Sequence, residues 1–182
     1  MKNSLLALSL GLTDSLIGTS VLANTGTVKF ESRITSSSCP IDIVNPGDGQ
    51  VGKPVSMGEV DISRFTGVGQ EHGGGRFILR VSDAPGCGIT TGSVANTTFN
   101  GTADPSGSYF VVTPGLDGAK GVVISLRDKH GASIAPGTAS ADYDLNDSGS
   151  TDMEFIAYYR STAAAVDAGA ASADVQFVVA IN

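Results

Sequence analysis

Two histidines stand beside acidic residues and are the first candidates for catalytic chemistry. His72 follows Glu71, and His130 lies two positions after Asp128. A histidine oriented by a carboxylate can activate a serine, but such a set is recognised by geometry and not by spacing. Both histidines fall in glycine-containing stretches that are typical of exposed loops. We therefore interpret them as loop residues, and we predict that the chain is not an enzyme.

The two cysteines are the second candidates. Cys39 and Cys87 are 48 positions apart, and neither has a histidine near it in the sequence. A thiolate nucleophile or a metal ligand is one interpretation, but the chain has no Cys-x-x-Cys pair. Zinc and copper sites usually need several cysteine or histidine ligands, and two of each are too few. We therefore predict no metal and no cofactor.

The first 23 residues have the pattern of a secretory signal peptide. Lys2 supplies a positive start, residues 5–12 form a short apolar run, and residues 21–23 suit signal peptidase. The apolar run is too short to span a bilayer. We predict a signal peptide over residues 1–23, with a cytosolic chain that begins with an apolar helix as the alternative. In an oxidising compartment, Cys39 and Cys87 most simply form one disulfide.

Length and composition limit the remaining function classes. The chain has 182 residues, which is enough for one domain. Its 11 basic and 18 acidic residues give a net charge of −7, which argues against a nucleic-acid partner. With 24 glycines and no tryptophan, the composition favours short strands and turns over helices.

After residue 23, short β-favouring runs alternate with turn signals. The runs cover residues 27–34, 51–62, 76–81, 93–100, 108–113, 121–127, 152–160 and 173–181. A glycine-rich turn is predicted at residues 73–75 and a hairpin turn at residues 128–132. Roughly eight strands at hairpin spacing predict an immunoglobulin-like β-sandwich.

Both ends of the expected mature chain carry alternating strands. Val28 and Phe30 alternate with charged residues near the N-terminus. The same alternation closes the chain, where the apolar positions are Val175, Phe177, Val179 and Ile181. An exposed apolar strand at a chain end is an aggregation hazard unless something pairs with it. Two interpretations stay open: both ends pair within one closed sandwich, or one or both pair with another chain.

Short motifs follow one another in a fixed order along the chain. They are Gly26-Thr27-Val28-Lys29-Phe30 ahead of Cys39, residues 55–60 (VSMGEV), Phe77-Ile78-Leu79 ahead of Cys87, residues 94–101 (VANTTFNG), Gly121-Val122 with Ile124, Asp128 and Gly131, Phe155-Ile156-Ala157-Tyr158-Tyr159, and Gly169. In this order and spacing, the mature chain resembles the pilin subunits of chaperone–usher fimbriae, in the type 1 major-subunit group. Ile181 departs from that family, which has tyrosine as the penultimate residue.

The resemblance implies an all-β fold, namely an incomplete immunoglobulin-like β-sandwich (the pilin fold) that is completed by a donor strand. Residues 24–32 are then the N-terminal donor-strand extension, with Gly26, Val28 and Phe30 facing the acceptor, and residues 33–182 are the pilin domain. The acceptor groove, which is also the chaperone-contact site, lies along the last strand. Its residues are Val175, Phe177, Val179 and Ile181. Strand addition of this kind supplies a backbone ladder, and alternate side chains set its register.

The function implied by the resemblance is that of a structural subunit of a fimbria or pilus, exported through the periplasm to the cell surface for adhesion. The implied partners are copies of the chain or other pilin subunits joined head to tail, a periplasmic chaperone and an outer-membrane usher. Two alternatives stay open, a minor or adaptor subunit and a glycan-binding fimbrial adhesin. A tip adhesin usually carries an additional lectin domain, for which the expected mature length leaves no room.

Overall fold

The computed structural model describes residues 39–46, 49, 51–52 and 54–182. In these residues the chain forms nine strands and one 3₁₀ turn, Ile62–Arg64. The strands are β1 (Ile41–Val44), β2 (Glu71–Val81), β3 (Val94–Asn100), β4 (Phe110–Val111), β5 (Val122–Arg127), β6 (Ser133–Ile134), β7 (Tyr143–Asp144), β8 (Thr151–Ser161) and β9 (Gln176–Ile181). The predicted all-β class is confirmed. No helix of the described ranges is both long and apolar enough to cross a membrane.

The strands form two antiparallel sheets. The larger sheet has the order β1-β2-β8-β5-β4. The short strand β6 also pairs with β5, further along β5 than β4 does. The smaller sheet has the order β7-β3-β9. Within the described residues, β9 is therefore an edge strand. This arrangement is consistent with an immunoglobulin-like sandwich that lacks one strand.

A cluster of phenylalanine rings joins the two sheets. Phe77 of β2 stacks on Phe155 of β8, with ring centroids 5.5 Å apart. Phe99 of β3 meets Phe155 edge to face at 4.9 Å and Phe77 at 6.0 Å. All three rings are buried, because alternate residues of each strand face inward. Their contacts hold the sheets face to face and place the core between them.

The glycines at residues 73–75 lie inside β2, so the turn predicted there is wrong. The pairing of β2 with β8 shifts register between His72 and Gly75, which marks a β-bulge. A Cβ atom added to Gly75 would lie 2.5 Å from the carbonyl oxygen of Ser56. The glycines thus let the chain around residue 56 pass closely over β2. Residue 56 falls within the strand predicted at residues 51–62. That prediction is wrong, because the described residues of this range form no strand.

The two ends of the sandwich are distinguished by the disulfide and by the strands that begin or finish there. At the disulfide end, β2 and β9 finish and β8 begins, and the Cys39–Cys87 bond is present there with a Cα–Cα distance of 4.8 Å. At the opposite end, called the distal end, β2 and β5 begin and β8 finishes. The described chain enters at the disulfide end, because Cys39 is its first residue.

The hairpin turn predicted at residues 128–132 joins β5 to β6. The buried carboxylate of Asp128 accepts hydrogen bonds from the backbone N–H groups of His130 and Ala132, at 2.9 and 3.0 Å. The backbone N–H of Lys129 donates to the Tyr143 hydroxyl, which in turn donates to the carbonyl of Glu154 at 2.6 Å. This turn therefore links β5 to both β7 and β8.

Tyr143 makes the stability of the fold sensitive to alkaline pH. Its burial, and next the nearby carboxylates of Asp128 and Glu154, raise the pKa of Tyr143 from 10.0 to about 12. The stability from the neutral phenol is complete below about pH 10, where unfolded tyrosine is also neutral. It is lost as the pH rises towards 12. We expect Tyr143→Phe to cost about 1 kcal/mol near pH 8 and progressively less above pH 10. Urea unfolding at several pH values measures this difference, and a cost that stays constant with pH would contradict the assignment.

Candidate functional site

An apolar cleft of about 600 Å³ opens between the two sheets. Its floor consists of inward-facing core residues from both sheets. These are Phe77, Leu79, Phe99, Phe110, Ile124, Leu126 and Ala157. A core that stays open to this extent lacks the side chains that close packing requires. The cleft therefore has room for apolar groups from outside the described residues.

Two chain segments form the walls of the cleft. One wall contains Pro54, Val55 and Met57, from the stretch that crosses the glycines of β2. The other wall contains residues 171–177, which lead into β9. The Tyr159 hydroxyl donates to the carbonyl of Ala171 at 2.9 Å and so ties this second wall to β8. Burial raises the pKa of Tyr159, so the phenol stays a hydrogen-bond donor to a higher pH than an exposed tyrosine does.

Strand β9 presents an open edge beside the cleft. Val94 and Asn182 exchange both of their backbone hydrogen bonds, at 3.0 and 2.9 Å. Because such pairs alternate along an antiparallel ladder, the backbone groups of Phe177, Val179 and Ile181 point away from β3. In the described part of the chain, no strand pairs with that edge. The edge can therefore accept a further strand.

The structure separates the four residues predicted for this strand into two groups. Val175 and Phe177 line the cleft. Val179 and Ile181 are partly buried against the core but lie beyond the residues that line the cleft. Val178, which lies between Phe177 and Val179 in the sequence, is half exposed on the opposite face of the strand. The donor residues Gly26, Val28 and Phe30, which the resemblance implies, lie outside the described residues.

The histidine and carboxylate pairs have structural partners. His72 lies in β2, so its interpretation as a loop residue is wrong, and its ring packs edge-on against Phe65, with centroids 5.1 Å apart. Glu71 is bound by the guanidinium groups of Arg127 and Arg160, at 2.6 and 3.2 Å. Burial opposes ionisation of Glu71, but the nearby Ser125 hydroxyl and these two guanidinium groups outweigh burial and lower the pKa of its carboxyl. Among the described residues, no group of three or more His, Cys, Asp or Glu side chains could hold a metal ion.

Sequence reasoning missed the first wall of the cleft and the contact that fixes the second, although it predicted Val175 and Phe177, which belong to the second wall. Tyr159 is part of the motif at residues 155–159, but nothing in the sequence indicates that its hydroxyl donates a hydrogen bond to the carbonyl of Ala171. Pro54 and Val55 fell within a predicted strand, and only the bulged glycines of β2 bring that stretch to the cleft. The close spacing of Gly73–Gly75 was the available signal, since three adjacent glycines permit another backbone to approach closely.

Comparisons with known proteins identify the family. Residues 28–182 match the family model described as fimbrial protein. The chain belongs to the fimbrial protein family. This fimbrial protein is 34% identical over 153 residues to the probable major fimbrial subunit LpfA of Escherichia coli O157:H7, covering 84% of this chain and 81% of that protein.

Two solved structures resemble this fimbrial protein. A type I fimbria protein and antigen of Burkholderia pseudomallei is 30% identical with a TM-score of 0.58, covering 80% of this chain and 90% of that one. The subunit of a chaperone–usher pilus gives a TM-score of 0.59 over 91% of this chain and all of its own, and its 18% identity shows the fold alone.

The family settles the class of function. The fimbrial protein is a structural pilin of a surface fimbria and polymerises with other pilin subunits, and its family is not one of enzymes. The predictions of a structural subunit and of no enzymatic activity are therefore confirmed. The cleft and the open edge of β9 become the candidate site for that polymerisation.

Proposed function

We propose that the cleft binds the N-terminal extension of another subunit, residues 24–32, as an added β-strand. The observation that carries the proposal is the double role of Phe177. Its side chain lines the apolar cleft, while its backbone groups face the open edge of β9. An incoming strand thus gains hydrogen bonds and apolar burial from one residue, and this combination is typical of strand addition.

The extension carries side chains that suit such a cleft. Val28 and Phe30 fall on one face of an extended strand, with Gly26 on the same face where space is tight. Burying Val28 and Phe30 contributes roughly 1.5–3 kcal/mol each. Lys29 and Glu31 then point to solvent. The alternation sets the register, because a shift by one residue would put these charges into the cleft.

Geometry favours an extension that runs antiparallel to β9. The extension joins its own domain at Cys39, at the disulfide end, where β9 also finishes. An extension parallel to β9 would leave the cleft at that end and bring two disulfide ends together. An antiparallel one leaves at the distal end and stacks the disulfide end of one subunit on the distal end of the next. Only the second arrangement repeats along one direction and builds a filament.

Assembly needs a route to the cell surface and protection of the cleft before polymerisation. We assign residues 1–23 to a signal peptide and residues 33–182 to the pilin domain. A periplasmic chaperone then covers the cleft with a strand of its own, and an outer-membrane usher exchanges it for the next subunit. The probable major subunit among the relatives supports a role in the fimbrial shaft.

A peptide experiment tests the proposal directly. The oxidised pilin domain, residues 33–182, is mixed with a peptide of residues 24–32 or with a control peptide in which Val28 and Phe30 are replaced by aspartate. We expect only the native peptide to raise the thermal midpoint, because only it fills the cleft. Hydrogen exchange measures the site, and the amides of Phe177, Val179 and Ile181 should gain protection. Equal effects of the two peptides would exclude the cleft as the acceptor.

A further inference from the structure

Three large apolar side chains are exposed in the part of the molecule around the distal end. Ile62 is 45% exposed, Val68 is 67% exposed, and Leu116 is fully exposed. The backbone N–H of Gly69, next to Val68, donates to the carbonyl of Ser161, the last residue of β8. Leu116 belongs to the loop that leads into β5. We call these three residues the distal apolar surface.

A second cavity lies beside this surface and continues the cleft. It measures about 470 Å³, and Ile62, Phe65 and Val122 are among the residues that line it. Tyr159 and Ala171 line both this cavity and the cleft. The hydrogen bond between them therefore lies at the boundary of the two spaces. Through Ile62, the distal apolar surface therefore adjoins the cavity that continues the cleft.

The loop that carries Leu116 is held rigidly in place. Gly169 packs so closely on it that an added Cβ atom would lie 2.5 Å from the carbonyl oxygen of Asp117. The backbone N–H of Ala119 donates to the carbonyl of Ala170, and that of Ala170 donates to the carbonyl of Asp117. Leu116 is therefore presented to solvent by a hydrogen-bonded loop, where a partner can contact it.

We propose that the distal apolar surface docks the disulfide end of the next subunit in the fibre. This inference rests on the proposed function, in which an extension leaves the cleft at the distal end. Only residues 33–38 then separate the bound extension from Cys39 of the incoming subunit. Six extended residues span at most about 20 Å, so the disulfide end of that subunit is held close to the distal end. The chain length outside the described residues thereby selects a second copy as the partner.

Contact between the two folded domains adds a second attachment to the one that the inserted strand provides. A strand alone leaves the two domains free to swing about the short connection. Contact with Val68 and Leu116 fixes their relative orientation and buries side chains that are exposed in the single subunit. The distal apolar surface therefore determines the stiffness of the fibre and its resistance to dissociation.

The test compares charged substitutions at three exposed apolar residues. Val68→Asp together with Leu116→Asp changes the two most exposed residues of the surface, and Val51→Asp is the control, since Val51 is 56% exposed and bridges to Val44 of β1, outside this surface. We expect the double variant to bind the peptide of residues 24–32 as the native domain does. We expect its fibres to dissociate in denaturant faster, on the order of tenfold, while those of Val51→Asp behave as native.

Cross-linking identifies the partner surface. A photoreactive amino acid at position 116 should cross-link in native fibres to residues 82–93 or 39–46 of a neighbouring copy. Cross-links to other regions, or fibres of the double variant that dissociate as slowly as native ones, would overturn the docking inference. Failure of the native peptide to bind the cleft is a separate result, because it would overturn the proposed function itself.

Discussion

Deleting residues 24–32 is expected to abolish fibre growth while leaving the pilin domain able to fold with the proposed chaperone. The deletion removes the proposed donor but none of the described core, so the cleft stays available. Within the segment, Phe30→Asp should have most of the effect. It replaces a burial worth roughly 1.5–3 kcal/mol with a charge that the apolar cleft cannot hydrate. Electron microscopy of cells that express each variant measures fibre number and length.

The matched control for this deletion is the double substitution Lys29→Ala and Glu31→Ala. These side chains face solvent in the proposed register, so fibres should form normally. The deleted chain should also still bind the peptide of residues 24–32, which separates a missing donor from a misfolded domain. Normal fibres from the deleted chain would show that another segment is the donor.

The second large effect is expected in the wall of the cleft. Phe177→Asp puts a carboxylate where the proposed incoming strand would bury apolar side chains, whereas Val178→Asp puts it on the exposed face of β9. A charge in an apolar site is strongly unfavourable unless it is paired. We expect Phe177→Asp to lose peptide binding and fibre incorporation, and Val178→Asp to keep both.

Phe177→Ala tests whether misfolding of the domain explains the loss of peptide binding by Phe177→Asp. This variant shortens the side chain without adding charge, so the domain should fold and bind the peptide more weakly than the native domain. Isothermal titration gives the affinity of each folded variant. If Val178→Asp loses binding as completely as Phe177→Asp, a charge on either face of β9 abolishes binding. The direction in which the Phe177 side chain faces would then not be the cause of the loss.

Strands with clear alternation could be predicted from the sequence. The runs at residues 76–81 and 152–160 belong to β2 and β8, which are long and in which every second residue is buried over residues 75–81 and 153–157. By contrast, β7 contains only two residues and exists because the distant strand β3 pairs with it. So short a segment carries no periodicity of its own, and its partner lies far away in the sequence.

The candidate site could be predicted only in part for the same reason. The alternation of the last strand placed Phe177 on the inward side, where it lines the cleft. The walls depend on long-range contacts, such as the bond from Tyr159 to Ala171 and the passage of Ser56 over Gly75. Neither contact leaves a local pattern, because each joins segments that sequence reasoning treated as a strand and a loop.

The paired backbone of Asn182 has a practical consequence for anyone who labels this fimbria. Asn182 is already fixed in the sheet by two hydrogen bonds to Val94. An affinity tag or displayed epitope attached at Asn182 must leave directly from an ordered strand, at the end of the sandwich that carries the disulfide. We therefore expect attachments at Asn182 to interfere with packing, and a reporter is better inserted in an exposed loop away from both ends of the sandwich.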